Sequence, residues 1–320
     1  MRVLIIGGGG FLGQKIAKSL GKSGTLRGAP ISHLALADLA APDSVDAPFP
    51  VTCHAGNIAN RADVDAMFEM KPDVVFHLAA IVSGQAELEF DLGVDVNLMG
   101  SINVFEAARA LGTKPVVVFT SSCAVYGGEI PREIEDWTAN NPQTSYGAQK
   151  AAAELLLTDY SRKGFLDGRG PRLPTVTIRP GKANAAASSF ISSIFREPLQ
   201  GEDAICPVEP DFELWYASPR VVTQNLIRCA EIDEERLGQN RCFALPGKVS
   251  TIGEMIEAMR AVAGDEPVGR IRFERDQRIY DIVMGWPPHI HPQKAFALGL
   301  KADDSFEDNI RYFLEDDIRR

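Results

Sequence analysis

The sequence predicts an α/β protein built on a doubly wound parallel sheet, and three observations carry that expectation. Short apolar runs alternate with amphipathic segments through the first half of the chain. The first run, Val3-Leu4-Ile5-Ile6, passes straight into four glycines, Gly7 to Gly10. The second half changes character, with prolines and glycines frequent between Gly164 and Pro219.

Taken in order, residues 3–6, 33–37, 51–54, 74–78, 116–120 and 175–179 read as buried strands. They are short and mostly rich in Val and Ile, as strands covered on both faces are. Helical patterns lie between them at 11–20, 62–70, 97–111 and 146–165. Alternation at this spacing means βαβ units, hence a Rossmann-type sheet with helices on both faces. Further helices are expected at 188–196, 220–230 and 251–263, and a terminal one at 305–318. Residues 241–245 are expected to return to the large sheet as a strand. The expected division is residues 1–180 as a dinucleotide-binding domain and 181–320 as a smaller, partly interleaved C-terminal substrate domain.

Composition narrows the function classes. The 320 residues are 45% hydrophobic and 24% charged, enough apolar material for a sizeable core. A net charge of −10 argues against a nucleic-acid or anionic-membrane surface, so an anionic ligand would have to be met locally by a few aimed amides or arginines. Five cysteines (Cys53, Cys123, Cys206, Cys229 and Cys242) include no Cys-x-x-Cys pair, which excludes zinc ribbons and redox dithiols and fits reduced thiols in a cytoplasmic protein. No stretch approaches the ~20 apolar residues of a membrane span, and the N-terminal apolar run is shorter than the ~7–15 residues of a signal-peptide core. His289 and His291 stand without a nearby Cys or carboxylate cluster, so no metal site is expected.

The glycine turn is the first candidate site. Gly7, Gly10 and Gly13, with Phe11 and Leu12 between the last two, follow a strand and open a helix. Glycine is needed where the chain turns tightly and where the backbone approaches a pyrophosphate without a Cβ in the way, with the helix amides aimed at the phosphates. Asp38 follows the second strand; a carboxylate there accepts from the adenosine ribose hydroxyls and repels a 2′-phosphate, favouring NAD over NADP. Asn57 and Ile58 after the third strand, and Leu78, Ala79 and Ala80 after the fourth, sit where an adenine and the rest of the cofactor would pass, although a purely structural loop fits the same residues.

The second candidate is catalytic. Tyr146 and Lys150 stand at i and i+4 near the start of a helix and share one face. An ammonium beside a phenol is expected to lower its pKa from about 10, and a tyrosine so placed can exchange a proton with a substrate hydroxyl. Ser121 and Ser122 follow the strand at 116–120, where ligands of a parallel sheet bind.

Glycine turn, strand-end serine and Tyr-x-x-x-Lys, in that order, resemble the extended short-chain dehydrogenase/reductases, the group of sugar-nucleotide epimerases and dehydratases. The resemblance covers nearly the whole chain. It implies that Tyr146 is the acid/base, that Lys150 tunes it and holds the nicotinamide ribose, and that Ser122 is the catalytic serine. It also implies that Asn97, in Asn97-Leu98-Met99-Gly100, matches the family's Asn-x-x-Gly, that Arg179-Pro180-Gly181 covers the nicotinamide with Pro180 against it, and that the protein is a homodimer packed through the helices at 97–111 and 146–165.

The C-terminal half departs from the nucleotide-sugar enzymes. Their Arg-Asp-aromatic and Val-Asp-Asp segments are absent, and Pro210 to Arg220 stands in their place. The run from Arg179 to Phe190, with Arg196-Glu197-Pro198-Leu199 and Ala217-Ser218-Pro219-Arg220, is similar to a narrower group, the D-erythronate dehydrogenases, and implies oxidation of a small sugar acid. A carboxylate substrate needs a cation or amides. Lys182 and Arg220 are the candidate cations, and Asn184 and Ser188 the candidate partners for hydroxyls. The competing readings are a nucleotide-sugar epimerase or dehydratase that keeps its NAD, and a dinucleotide sensor without chemistry.

Overall fold

The computed structural model describes residues 1–182 and 188–318. The elements that position the site are, in chain order, β1 (Arg2–Ile6), α1 (Phe11–Ser23), β2 (His33–Asp38), β3 (Val51–Ala55), α2 (Arg61–Phe68), β4 (Val74–His77), α3 (Gly100–Ala110), β5 (Val116–Phe119), α4 (Ser145–Arg162), β6 (Asp167–Leu173), β7 (Thr175–Val176), α5 (Ser189–Arg196), β8 (Glu213–Ala217), α6 (Pro219–Glu231), β9 (Cys242–Ala244), β10 (Lys248–Thr251), α7 (Ile252–Ala263), α8 (Gln277–Val283) and α9 (Phe306–Asp316).

The main sheet runs β9-β6-β5-β4-β1-β2-β3, with a two-residue strand, Ser121–Ser122, beside β6. Every pairing in it is parallel. The order reverses direction at β1, so a crevice opens at the carboxyl ends of β1 and β4, the place where such sheets bind ligands. Apolar cores cover both faces: Ile16, Leu20, Val222 and Leu226 pack on one side, and Val104, Phe105, Ala153 and Leu157 on the other. A third core, around Ile191, Phe195, Met255 and Ile310, belongs to the C-terminal part. The three-stranded sheet β7-β8-β10 lies in that part.

Five of the six expected strands of the first half stand within a residue or two of their predicted places. The sixth requires a correction. Residues 175–179 do not enter the main sheet; Thr175–Val176 pairs with β8 in the small one. The sixth strand of the large sheet is β6, Asp-Gly-Arg-Gly-Pro-Arg-Leu, which pairs with β5 on one side and β9 on the other. Its arginines are buried but fully engaged. Arg169 donates to the carbonyls of Asp167, Cys229 and Ile232 and pairs with the Asp167 carboxylate at 2.7 Å. Arg172 forms a two-pronged pair with Glu154 of α4 at 2.9 and 2.7 Å. A buried charge is tolerated when it is paired and hydrogen-bonded. Gly168 and Gly170 let α4 and β9 come close, since a Cβ at Gly170 would stand 2.5 Å from Cys242 Sγ.

The helix expected at 97–111 is a π-turn, Val94–Met99, running into α3. The caps explain the other starts: Thr144 Oγ1 accepts from the Gly147 N–H at 3.1 Å ahead of the Tyr-x-x-x-Lys helix, and Ser218 caps α6 with Pro219 at its first position.

Candidate active site

The glycine turn closes the crevice floor. Gly7 and Gly8 both donate to the carbonyl of Ala37 at the end of β2. A Cβ on Gly7, which has φ +90°, would stand 2.7 Å from the Ala79 N–H, and one on Gly13 would overlap the carbonyl oxygen of Gly7. Around a Cβ on Gly10, by contrast, only the Gly7 carbonyl lies near, at 3.4 Å. The turn therefore presents bare backbone to the crevice at the N-terminus of α1, which fits a pyrophosphate. Asp38 ends β2 beside it; its carboxylate accepts from Gly9 N–H at 2.9 Å and Leu39 N–H at 2.8 Å.

A cavity of about 410 Å³ runs from this turn to the Tyr-x-x-x-Lys helix. Gly7, Gly10, Phe11, Leu12, Gly13, Leu78, Ala80, Ser121, Ser122, Tyr146, Lys150 and Ser188 all line it, so most of the sequence-predicted site comes together. Ala79 packs behind, against Gly7. Other expected residues are not in its wall. Asn97 is buried and spends its amide on the backbone of Ile81, accepting at 2.8 Å and donating at 3.1 Å, so it fixes the segment that carries Ala80 and Val82. Ile58 belongs to the core, and Asn57 is a turn residue whose Oδ1 accepts from Ala59 N–H at 3.0 Å. Pro180 follows Arg179 in the chain but is not among the lining residues.

The cations need correcting. Arg220 does not line the cavity and pairs with Glu315 and Asp316 of α9 at 2.8 and 2.6 Å, its guanidinium 4.1 Å from the Tyr312 ring. Lys182 is exposed. Asn184 lies outside the described residues. The arginine that lines the cavity is Arg179. Its side chain donates to Ser192 Oγ at 3.4 Å and to Ser188 Oγ at 3.1 Å, and among the described residues no carboxylate pairs with it. Burial, with the charge of Arg196 nearby, depresses its pKa to about 10.

The acid/base geometry also differs from the expectation. Lys150 points its Nζ at the Thr120 carbonyl, 2.8 Å away, and lies 5.8 Å from the centre of the Tyr146 ring. Burial pushes the pKa of Tyr146 up to about 12 rather than down; a hydrogen bond with Ser122 and then the charge of Arg179 pull against it. Burial lowers Lys150 to about 7, opposed by Glu154 one turn along the helix. Glu154 holds the floor together: besides Arg172 it accepts from Ser121 Oγ at 2.5 Å and Asn140 Nδ2 at 2.9 Å. Behind Lys150, His77 is fully buried, and burial drops its pKa to about 3.

The residues missed from sequence are Arg179, Glu154, Trp215 and Trp286. Arg179 sat in a recognised loop, next to the residue chosen from it. The tryptophans lie in a loop-rich half without a motif.

Residues 3–215 match the NAD dependent epimerase/dehydratase family. The chain belongs to that family. It is 49% identical to a D-erythronate dehydrogenase of Cupriavidus necator over 99% of this chain and 98% of the relative. It is 43% identical to a D-erythronate dehydrogenase of Haemophilus influenzae over 99% of this chain and 100% of the relative. Among solved structures it superposes with TM-score 0.94 on a chain from Agrobacterium tumefaciens described as a nucleoside-diphosphate-sugar epimerase, 46% identical, covering 99% of this chain and 94% of that one. The family member described here is thus an NAD-dependent oxidoreductase. Among the described residues no helix is long and apolar enough to cross a membrane.

Proposed function

We propose that this enzyme oxidises a secondary hydroxyl of a small sugar acid, D-erythronate foremost, to the 2-oxo acid. The observation that carries the reading is Arg179, which among the described residues has no carboxylate partner, beside Tyr146 in one cavity, in a chain 49% and 43% identical to D-erythronate dehydrogenases. An unpaired guanidinium is the natural partner of a carboxylate, which it can grip with two parallel bonds.

In this reading residues 1–180 hold the cofactor and 181–320 complete the substrate site, with the strand at 242–244 returning to the large sheet. Gly7, Gly10 and Gly13 receive the pyrophosphate, Asp38 the adenosine ribose, and Lys150 the nicotinamide ribose. Bound NAD supplies the acceptor for the hydride that leaves the carbinol carbon. Tyr146 takes the hydroxyl proton, Ser122 bonds the reacting oxygen and Tyr146 together, and Arg179 with Ser188 fixes the carboxylate. Four exposed apolar side chains, Leu88, Phe90, Met99 and Leu155, lie on or beside the helices at 83–110 and 145–162 and support a homodimer through that face. All five cysteines are free, which supports a cytoplasmic setting.

The second reading is a nucleotide-sugar epimerase, favoured by the description of the Agrobacterium structure. The test is NADH absorbance with purified protein, NAD and a panel including D-erythronate and L-threonate. NADH growth that disappears in Tyr146→Phe supports the dehydrogenase. Silence across the panel, with NAD retained through purification and a nucleotide-sugar converted, overturns it.

A further inference from the structure

We infer that Trp215 and Trp286 form a wall that limits the substrate to a short carbon chain, an inference that rests on the sugar-acid reading above. Once Arg179 holds a carboxylate and Tyr146 the hydroxyl on the next carbon, the remaining carbons must run toward the rest of the cavity. The surface left there is apolar and carries two indoles, Trp215 and Trp286, flanked by Leu214, Ile282 and Pro287.

Both indoles are backed by packed structure. Trp215 sits on β8, held between β7 and β10 in register with Val249. Its ring lies against Gly247, where a Cβ would stand 2.7 Å from Cε2 and 2.8 Å from Nε1. It cannot retreat in that direction. Trp286 comes from a different element, the turn after α8; it donates its backbone N–H to Val283 at 3.0 Å and packs against the third core. A wall made from two unrelated elements and closed from behind does not yield to a longer substrate. The cofactor must share this cavity, since its lining runs from the glycine turn at Gly7 and Gly10 to Tyr146 and the two indoles.

The test compares kcat/KM for straight-chain 2-hydroxy sugar acids of four, five and six carbons in the wild type, Trp286→Ala and Trp215→Ala. One methylene too many in a closed apolar pocket costs about 10–200-fold in kcat/KM, so the wild type should fall steeply with chain length. In either tryptophan variant the four-to-six-carbon ratio should collapse by at least about tenfold, through loss on the short acid and gain on the long ones. Trp286→Leu, which keeps an apolar side chain against the core, serves if an alanine variant does not fold. An unchanged ratio in folded variants that still oxidise the four-carbon acid overturns the wall while leaving the sugar-acid reading intact. A wild type that oxidises none of these acids overturns both.

Discussion

At the scale of single residues, the proposed chemistry turns on three side chains whose pKa values are moved by burial. Tyr146, held up at about 12, is a protonated phenol in the free protein at neutral pH. Oxidation requires it to accept a proton, so the oxidation rate should climb with pH and the reverse reduction should fall. The Ser122 hydrogen bond lowers this pKa, so Ser122→Ala should move the rising limb of the kcat–pH profile to higher pH. A limb that stays in place would remove Tyr146 from the proton transfer. Tyr146→Phe should cost about 10²–10⁴-fold in kcat with NAD affinity kept, read by titration. Arg179→Met removes a charged hydrogen-bonding partner, worth about 1.5–3 kcal/mol, so kcat/KM for the acid should fall about 10–100-fold while NAD binding is untouched. That Tyr146, Lys150 and Ser122 would meet in one cavity was legible in the sequence, because a spacing and a strand end announce them. Arg179 was not, because the case for it as a ligand rests on its having no carboxylate partner among the described residues, which only the folded chain shows.

At the scale of elements, β6 shows where reading by pattern fails. A buried strand is expected to be apolar, and that rule pointed to residues 175–179. The chain instead buries Asp167–Leu173, with Gly168 and Gly170 giving close approach, Arg169 neutralised by Asp167 on the same strand and Arg172 by Glu154 from α4. Only the fold brings Glu154 to Arg172. The same pairing yields a prediction about stability. Glu154 and Arg172 are both buried, with side-chain exposures of 3% and 7%. Glu154→Gln leaves the guanidinium without its counter-charge in the interior, and breaking such a pair costs on the order of 3–5 kcal/mol. Chemical denaturation should show the midpoint falling with the slope unchanged. A loss below about 1 kcal/mol would mean that Asn140, water or Tyr126, whose hydroxyl already accepts from Arg172 at 2.6 Å, can substitute for the carboxylate. By contrast β1 and β2 were legible because their residues pack mainly against neighbours of the same apolar kind, and the glycine turn because only glycine fits its close approaches.

At the scale of the whole molecule, the site stands at odds with the stability of the fold that carries it. Lys150 is buried on the cavity floor, and burial lowers its pKa to about 7, against about 10.4 in an unfolded chain. Below about pH 7 both states carry the proton and the folded state bears the whole cost of burying the cation. Between the folded and unfolded values the unfolded state binds more protons, so this group makes stability rise with pH, by up to ~1.4 kcal/mol per pH unit. The buried thiols act in the opposite sense. Burial raises Cys123 and Cys229 to about 12, so above about pH 8.5 the folded state is the one retaining protons and stability falls. The two effects separate between about pH 7 and 8.5, where only the lysine of these groups titrates. Lys150→Met should therefore melt higher than the wild type at pH 7 and lose activity, and the gap should narrow as the pH is raised to 8.5. A variant that melts lower at every pH would mean that the bond from Lys150 to the Thr120 carbonyl outweighs the cost of the charge. In that case the lysine would hold the end of β5 as well as serve the reaction.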